Sequence, residues 1–264
     1  MNYWSNKEKD AKAARTHTAL MERRLEKRIQ NSAARTIIYG IPNIKPLPVG
    51  YPDDILKPSI QVVCEDSVTA IFNHSQDNTA VLNFASYKNP GGMFVRGSHA
   101  QEECLCSESN LYNILLKFDA SYYAWNRKNE NSNRSLYTNR ALYTPDVVFI
   151  RDGLNPIRCD VITCAAPNYT IAKSYHHIRN LDNSRALYAR IKFVKMIAEE
   201  NNVDTLILGA FGCGIFGQKP DEVAKLFAFV FEKTVIKRLI FAIPAGDNYE
   251  AFVSQFCNTG ETIA

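Results

Sequence analysis

The sequence predicts an α/β protein, a largely parallel sheet sandwiched between helices. Three observations point there. From Ile60 onward, short β-rich runs alternate with stretches of helical periodicity. The β-rich runs are mostly apolar rather than alternating, as strands covered on both faces are. A length of 264 residues suits one large domain, and neither an internal repeat nor a second core is visible.

The first element is a helix over the opening 35 residues. Met21, Leu25, Ile29 and Ala33 recur every four residues and give it one apolar stripe, which predicts packing on the body. The segment carries nine Lys/Arg and four Asp/Glu, +5 of a chain total of +4, so the rest carries −1. Such a basic arm suits a polyanion such as nucleic acid. The plainer reading is a solvated helix face, because Glu22 and Glu26 interleave with the basic residues. Pro42, Pro46, Pro48, Pro52 and Pro58 then rule out helix and predict an extended connector. The division expected is an arm over residues 1–58 and a body over 59–264.

Within the body, strands are expected at Ile60–Val63, Ala80–Phe84, Val147–Ile150, Val161–Cys164, Thr205–Leu208 and Arg238–Ile243. Helices are expected near Glu102–Lys117, Arg185–Glu200 and Asp221–Lys233. The polar stretch Asn126–Arg134 reads as an exposed loop. No apolar run approaches the roughly 18 residues of a membrane span, and the N-terminus lacks the apolar stretch of a secretory signal. A cytoplasmic location is expected. Seven cysteines, an odd number without a CxxC pair, predict reduced and mostly buried thiols. No zinc-ligand spacing or HExxH pattern occurs, so no metal is expected.

Two glycine loops carry the chemistry. In the first, a strand ending at Phe84 leads through Pro90-Gly91-Gly92 to Gln101-Glu102-Glu103, which opens a helix. Acidic residues favour a helix's first turn simply because they complement its dipole. A backbone able to approach a ligand closely, leading straight into paired carboxylates, points beyond that. In the second, Thr205–Leu208 runs into Gly209-Ala-Phe-Gly-Cys-Gly-Ile-Phe-Gly217, with Pro220 at the start of the next helix. Converging N–H groups in such a turn hold phosphate oxygens. Gly212, Gly214 and Gly217 have the spacing of the dinucleotide fingerprint. A nicotinamide enzyme is nevertheless disfavoured, because the following strand enters through Lys237-Arg238 where an acidic ribose contact belongs. No Gly-Lys-Ser/Thr follows, which disfavours a P-loop.

Together the loops resemble the microbial-type poly(ADP-ribose) glycohydrolases, a branch of the macrodomains. The family signature, a triple-glycine loop followed by Gln-Glu-Glu, corresponds to Pro90-Gly91-Gly92 and Gln101-Glu102-Glu103, with Met93 in place of the third glycine. Asn83-Phe84-Ala85, Leu111-Tyr112, Tyr143–Val147, Ala165–Asn168 and Leu208–Phe216 also match, so the resemblance spans residues 60–245 or so. It implies a macrodomain-like three-layer α/β/α fold with a mixed, largely parallel sheet and an N-terminal helical extension. It implies that Gly209, Ala210, Gly212, Cys213, Gly214, Ile215 and Phe216 hold the diphosphate, with Phe216 near the distal ribose. Gly91, Gly92 and Gln101 would close over the other side. Asp66 is a candidate for the adenine end, although turn chemistry explains it equally well.

The implied reaction is cleavage of the O-glycosidic bond of poly(ADP-ribose) or of an ADP-ribosylated protein or nucleic acid, by a monomer and without cofactor. Glu103 would be the general acid that later activates water, and Glu102 would anchor ribose hydroxyls. A helix N-terminus favours the carboxylate by about 0.3–1 kcal/mol. Raising a pKa by two units takes about 2.7 kcal/mol the other way. Glu103 is therefore expected to be shielded from water, beside the charge of Glu102. The alternatives are a macrodomain that reads ADP-ribose without hydrolysing it, for which Met93 speaks, and a scaffold with no ligand. Cys104 and Cys106 flank the helix, but no neighbouring histidine activates them. His99 reads as an exposed loop residue.

Overall fold

The computed structural model describes residues 3–40 and 57–257. The expected proline-rich connector falls almost wholly outside the described residues. The described residues form one seven-stranded sheet in the order β1-β4-β5-β3-β6-β7-β2. Its strands are β1 (Ile37–Tyr39), β2 (Ser59–Val63), β3 (Thr79–Phe84), β4 (Ala141–Phe149), β5 (Ile157–Cys164), β6 (Thr205–Leu208) and β7 (Arg238–Ala242). The five strands β5-β3-β6-β7-β2 run parallel. At the other edge, β4 and β1 are antiparallel. The mixed, largely parallel sheet expected from the sequence is therefore present.

Alternation along the strands separates two cores. Leu82, Ile162, Leu206 and Phe241 face helices α7 (Asn180–Glu200), α8 (Pro220–Val230) and α9 (Asp247–Phe256). Val81, Val161, Ile207 and Ile240 face the other side, toward α2 (Ser67–His74), α3 (Gln101–Ser107) and α4 (Leu111–Leu116). Helix α1 (Tyr3–Arg35) lies over this second layer, and Met21 and Ile29 of its apolar stripe are buried. Among the described residues, α5 (Ala124–Arg127) and α6 (Tyr169–His176) are the two remaining α-helices.

Several elements depart from the sequence reading. The expected single helix over Glu102–Lys117 is broken into α3 and α4. Glu108–Asn110 instead bonds to the end of β4: the Asn110 N–H donates to Val148 O, the Val148 N–H to Asn110 Oδ1, and the Ile150 N–H to Glu108 O. Strand β4 begins at Ala141, earlier than expected, because a bulge between Thr144 and Val147 absorbs Pro145. The stretch Asn126–Arg134 is not a plain exposed loop. It folds into short helical turns, and buried Asn126 donates from Nδ2 to Tyr87 O at 2.8 Å. All seven cysteines are free, but only Cys106, Cys159 and Cys164 are fully buried; Cys64 and Cys257 are exposed.

The packing of α1 gives a testable expectation. Ile29 has no exposed surface, so Ile29→Ala should lower stability by about 2–5 kcal/mol in urea unfolding. Arg28→Ala, one residue away on the exposed face, should stay within about 0.5 kcal/mol of the parent.

Candidate active site

Parallel sheets bind ligands in the crevice beyond the carboxyl ends of their strands. Three loops meet there: 85–100 after β3, 165–168 after β5 and 209–217 after β6. The strands are adjacent, so the loops touch. The Phe84 and Phe211 rings lie 5.5 Å apart, and Gln218 Nε2 donates to Pro167 O at 2.8 Å. Tyr137 stacks on Tyr87 at 4.2 Å and meets the Phe216 ring edge-on at 6.2 Å, giving the crevice a continuous aromatic wall.

Both glutamates are buried, with 3% of Glu102 and 6% of Glu103 exposed. Each is held by its own donors, so the 100° step between helix neighbours separates their tasks. Glu103 Oε1 accepts from the Met93 N–H at 2.8 Å and Oε2 from the Ala100 N–H at 3.1 Å. Glu102 Oε2 accepts from the Ser86 N–H at 2.6 Å and Oε1 from Asn83 Nδ2 at 3.3 Å. Burial raises the Glu102 carboxyl pKa to about 8, against the pull of the Ser86 and Asn83 bonds and with the help of adjacent Glu103. Glu103 is shielded from water as expected, and burial keeps the adjacent Glu102 carboxyl protonated near neutral pH.

Gly92 makes this arrangement possible. Its φ is +61°, and a Cβ there would sit 2.5 Å from Glu103 Oε1 and 2.9 Å from Glu102 Oε2. Met93, by contrast, has φ −111°. The position of the missing third glycine therefore puts no strain on a side chain, and the Met93 backbone N–H still serves Glu103. Gly91 packs against Tyr112.

In the second loop, Gly217 has φ +69° and packs so closely on Thr170 that a Cβ would strike Oγ1. Thr170 Oγ1 donates to Ile215 O at 3.0 Å and its N–H to Phe216 O at 3.2 Å, which pins the turn by its carbonyls. Among the described residues, the N–H groups of Gly214, Ile215 and Phe216 meet no protein acceptor, as a phosphate cradle requires. Gly209 packs under Phe84, Gly212 lies against Ala166, and Ala210 and Cys213 are half-buried. Burial pushes the Cys213 thiol up to about 12 and the Cys106 thiol well above its ordinary value, so neither is a thiolate nucleophile.

Other candidates have local structural tasks. Gln101 accepts on Oε1 from the Phe84 N–H and donates from Nε2 to Leu82 O and Ser67 Oγ, so its amide ties α3 to β3 and α2. Asp66 caps α2, accepting from Val68 and Thr69. Burial raises its pKa, but those bonds and Arg151 outweigh it and hold the carboxyl low. His99 pairs with Asp10 of α1 at 2.8 Å. A cavity of about 310 Å³ lies between α1 and the first glycine loop, with His17, His99 and Glu103 on its wall. None of its lining residues comes from 209–217, so it is distinct from the crevice between the loops.

Sequence reasoning named Asn83 only within a matching motif, without a role, and did not single out Tyr137. Asn83 Nδ2 bonds Glu102 and Thr163, while its Oδ1 is buried without a protein partner. A polar residue at the end of an apolar run was the available signal. Tyr137 stands at φ +59°, clamped by almost wholly buried Arg190, which donates to the carbonyls of Leu136, Tyr137 and Ala165. No local pattern marks it.

A macrodomain-like sheet between two helical layers, carrying a glycine turn with free N–H groups and two sequestered carboxylates, defines the class as an ADP-ribose-handling glycohydrolase. A model of the microbial-type PARG catalytic domain matches residues 7–152. The chain belongs to that family, the microbial-type poly(ADP-ribose) glycohydrolases. It is similar to the Thermomonospora curvata poly(ADP-ribose) glycohydrolase structure, with TM-score 0.82, 27% identity and coverage of 94% of this chain and 99% of that one. The same protein bound to the inhibitor ADP-HPD gives TM-score 0.81 and 26% identity, with the same coverage. The Deinococcus radiodurans poly(ADP-ribose) glycohydrolase in complex with ADP-ribose gives TM-score 0.66 and 31% identity, covering 75% of this chain and 84% of that one. No curated protein matches.

Two outcomes follow. Gly92→Ala should cut ADP-ribose affinity and turnover at least tenfold, read by calorimetry and product release, because the new methyl displaces both carboxylates. Folded Glu102 also holds a proton that the unfolded chain has lost between about pH 4.5 and about pH 8. Unfolding free energy should therefore fall as pH rises through that window. Thermal melts of Glu102→Gln should show a flatter dependence.

Proposed function

We propose that the protein hydrolyses the O-glycosidic bond at the anomeric carbon of ADP-ribose, releasing ADP-ribose from polymer ends or from modified macromolecules. The observation that carries this reading is the burial of two carboxylates with separate donors beside a glycine turn that presents free N–H groups. The family and its solved relatives support it. The Gly214–Phe216 N–H groups hold the diphosphate, with Gly209, Ala210, Gly212 and Cys213 shaping the turn. Phe216 packs on the distal ribose.

Glycoside cleavage needs a proton for the departing oxygen and stabilisation of an oxocarbenium-like transition state. Glu103 supplies the proton and then, as carboxylate, takes one from the attacking water. The Met93 and Ala100 N–H groups aim its oxygens and keep the rotamer fixed. Glu102, protonated up to about pH 8, adds no second negative charge and offers a hydroxyl to the ribose hydroxyls. Asn83 Oδ1 supplies an acceptor beside it. Met93, with its relaxed backbone, no longer favours a reader that binds without turnover.

In the same reading the chain acts as a monomer on polymer or on modified protein or nucleic acid. Of the arm's described residues, α1 (Tyr3–Arg35) packs on the body and β1 (Ile37–Tyr39) joins its sheet. The compartment is the cytoplasm, where exposed thiols such as Cys64 and Cys257 remain reduced.

Glu103→Gln should keep ADP-ribose affinity within about threefold in calorimetry while losing about 10²–10⁴-fold in release of ADP-ribose from polymer. Glu102→Gln should weaken binding more than Glu103→Gln does. Full turnover by Glu103→Gln removes that residue from the mechanism, and a larger turnover loss in Glu102→Gln exchanges the two roles.

A further inference from the structure

Glu103 is held by two N–H groups, and both belong to one turn. Met93 and Ala100 stand at its two ends, donating to Oε1 and Oε2. Within the turn the backbone bonds are local. The Arg96 and Ser98 N–H groups donate to Met93 O, and the Gly97 N–H donates to Phe94 O. These bonds shape the turn but do not fix where it stands over α3. Phe94 fixes the inner side against Tyr112, with the rings 5.2 Å apart. The outer side rests on α1.

Two contacts make that support. Gly97, at φ +77°, lies so close under the helix that a Cβ would strike Lys7 O and crowd the Ala11 backbone nitrogen. His99, one residue before Ala100, donates from Nε2 to Asp10 Oδ2 at 2.8 Å. The remainder of the interface is not filled. The cavity of about 310 Å³ opens there, bordered by Asp10, Ala14, His17, Phe94 and His99. A turn propped at points rather than packed along its length shifts when a prop is lost. His99 is largely exposed, so loss of its pair with Asp10 changes overall stability little and falls on the position of the turn.

We propose that Asp10 and Gly97 are positioning residues for the reaction. By docking the 93–100 turn on α1, they hold Glu103 at the angle from which it reaches the scissile oxygen. This rests on the function proposed above and makes the N-terminal helix a support of the chemical step. Glu102 takes its donors from Ser86 and Asn83, which precede the turn, and the 209–217 loop belongs to another strand. The grip on ADP-ribose is therefore independent of α1, and loss of the support is felt in turnover.

The test compares full-length variants by release of ADP-ribose from polymer and by calorimetry with ADP-ribose. Asp10→Ala should lower kcat about fivefold and Gly97→Ala about thirtyfold, because small misplacements of a reacting group have large effects on rate. Both should bind ADP-ribose within about twofold of the parent. Asp10→Asn keeps an acceptor for His99 and should recover most of the loss. Lys9→Ala, one residue away and exposed, should change neither quantity. Parent kcat in Asp10→Ala or in folded Gly97→Ala overturns the proposal. So does an affinity that falls in step with kcat, an Asp10→Asn no better than Asp10→Ala, or an equal loss in Lys9→Ala. Should Gly97→Ala fail to fold, the Asp10 variants decide alone. A parent protein that releases no ADP-ribose, or a Glu103→Gln variant with full turnover, overturns the functional reading itself and this proposal with it.

Discussion

Two neighbouring carboxylates held out of water at the end of β3 set the terms for everything around them. Burying ionisable groups is costly unless donors replace the lost water. Here the donors are the backbone N–H groups of Ser86, Met93 and Ala100 together with Asn83. To deliver them, the loop after β3 must fold back over the start of α3. The only residue that fits at the point of closest approach is one without a Cβ, and Gly92 stands there. The two side chains then differ in chemistry although they are adjacent in sequence. Burial keeps Glu102 protonated near neutrality, while Glu103 is aimed by two N–H groups.

The loop that accomplishes this is itself supported from outside the sheet. His17 Nε2 lies 2.8 Å from Ser109 O, Asp10 pairs with His99, and Arg15 donates to Val95 O. Helix α1 thus braces both ends of the segment that carries Gly91, Gly92 and the glutamates. On the opposite side of the crevice, Arg190 fixes Tyr137, which passes the constraint through ring contacts to Tyr87 and Phe216. The 209–217 glycine turn stands on Thr170 of α6. The reactive groups are therefore fixed by elements far apart in sequence, so little reorganisation is left for the moment of reaction.

Much of this was legible in the sequence. The five parallel strands, the burial of Met21 and Ile29, and the pairing of a glycine loop with adjacent glutamates follow from local patterns of apolarity and residue type, which the chain carries wherever it folds. The order of motifs from Asn83 to Phe216 indicated the family. What failed did so where a distant partner overrode a local preference. The Glu102–Lys117 helix was broken by bonds to the end of β4. The polar Asn126–Arg134 stretch was drawn inward because Tyr87 offered a carbonyl to Asn126.

The sequence by itself determined the layers, the identity of the glycine turns and the presence of two carboxylates at a helix start, because periodicity and steric permission are properties of short segments. Only the tertiary structure decided that Glu102 is kept protonated, that Met93 needs no left-handed backbone, and that Gln101 spends its amide on β3 and α2. Those outcomes depend on desolvation and on hydrogen-bond partners in other elements, 16 to 34 residues away for Glu102 and Gln101, and a pKa or a rotamer is set by what surrounds a group in space.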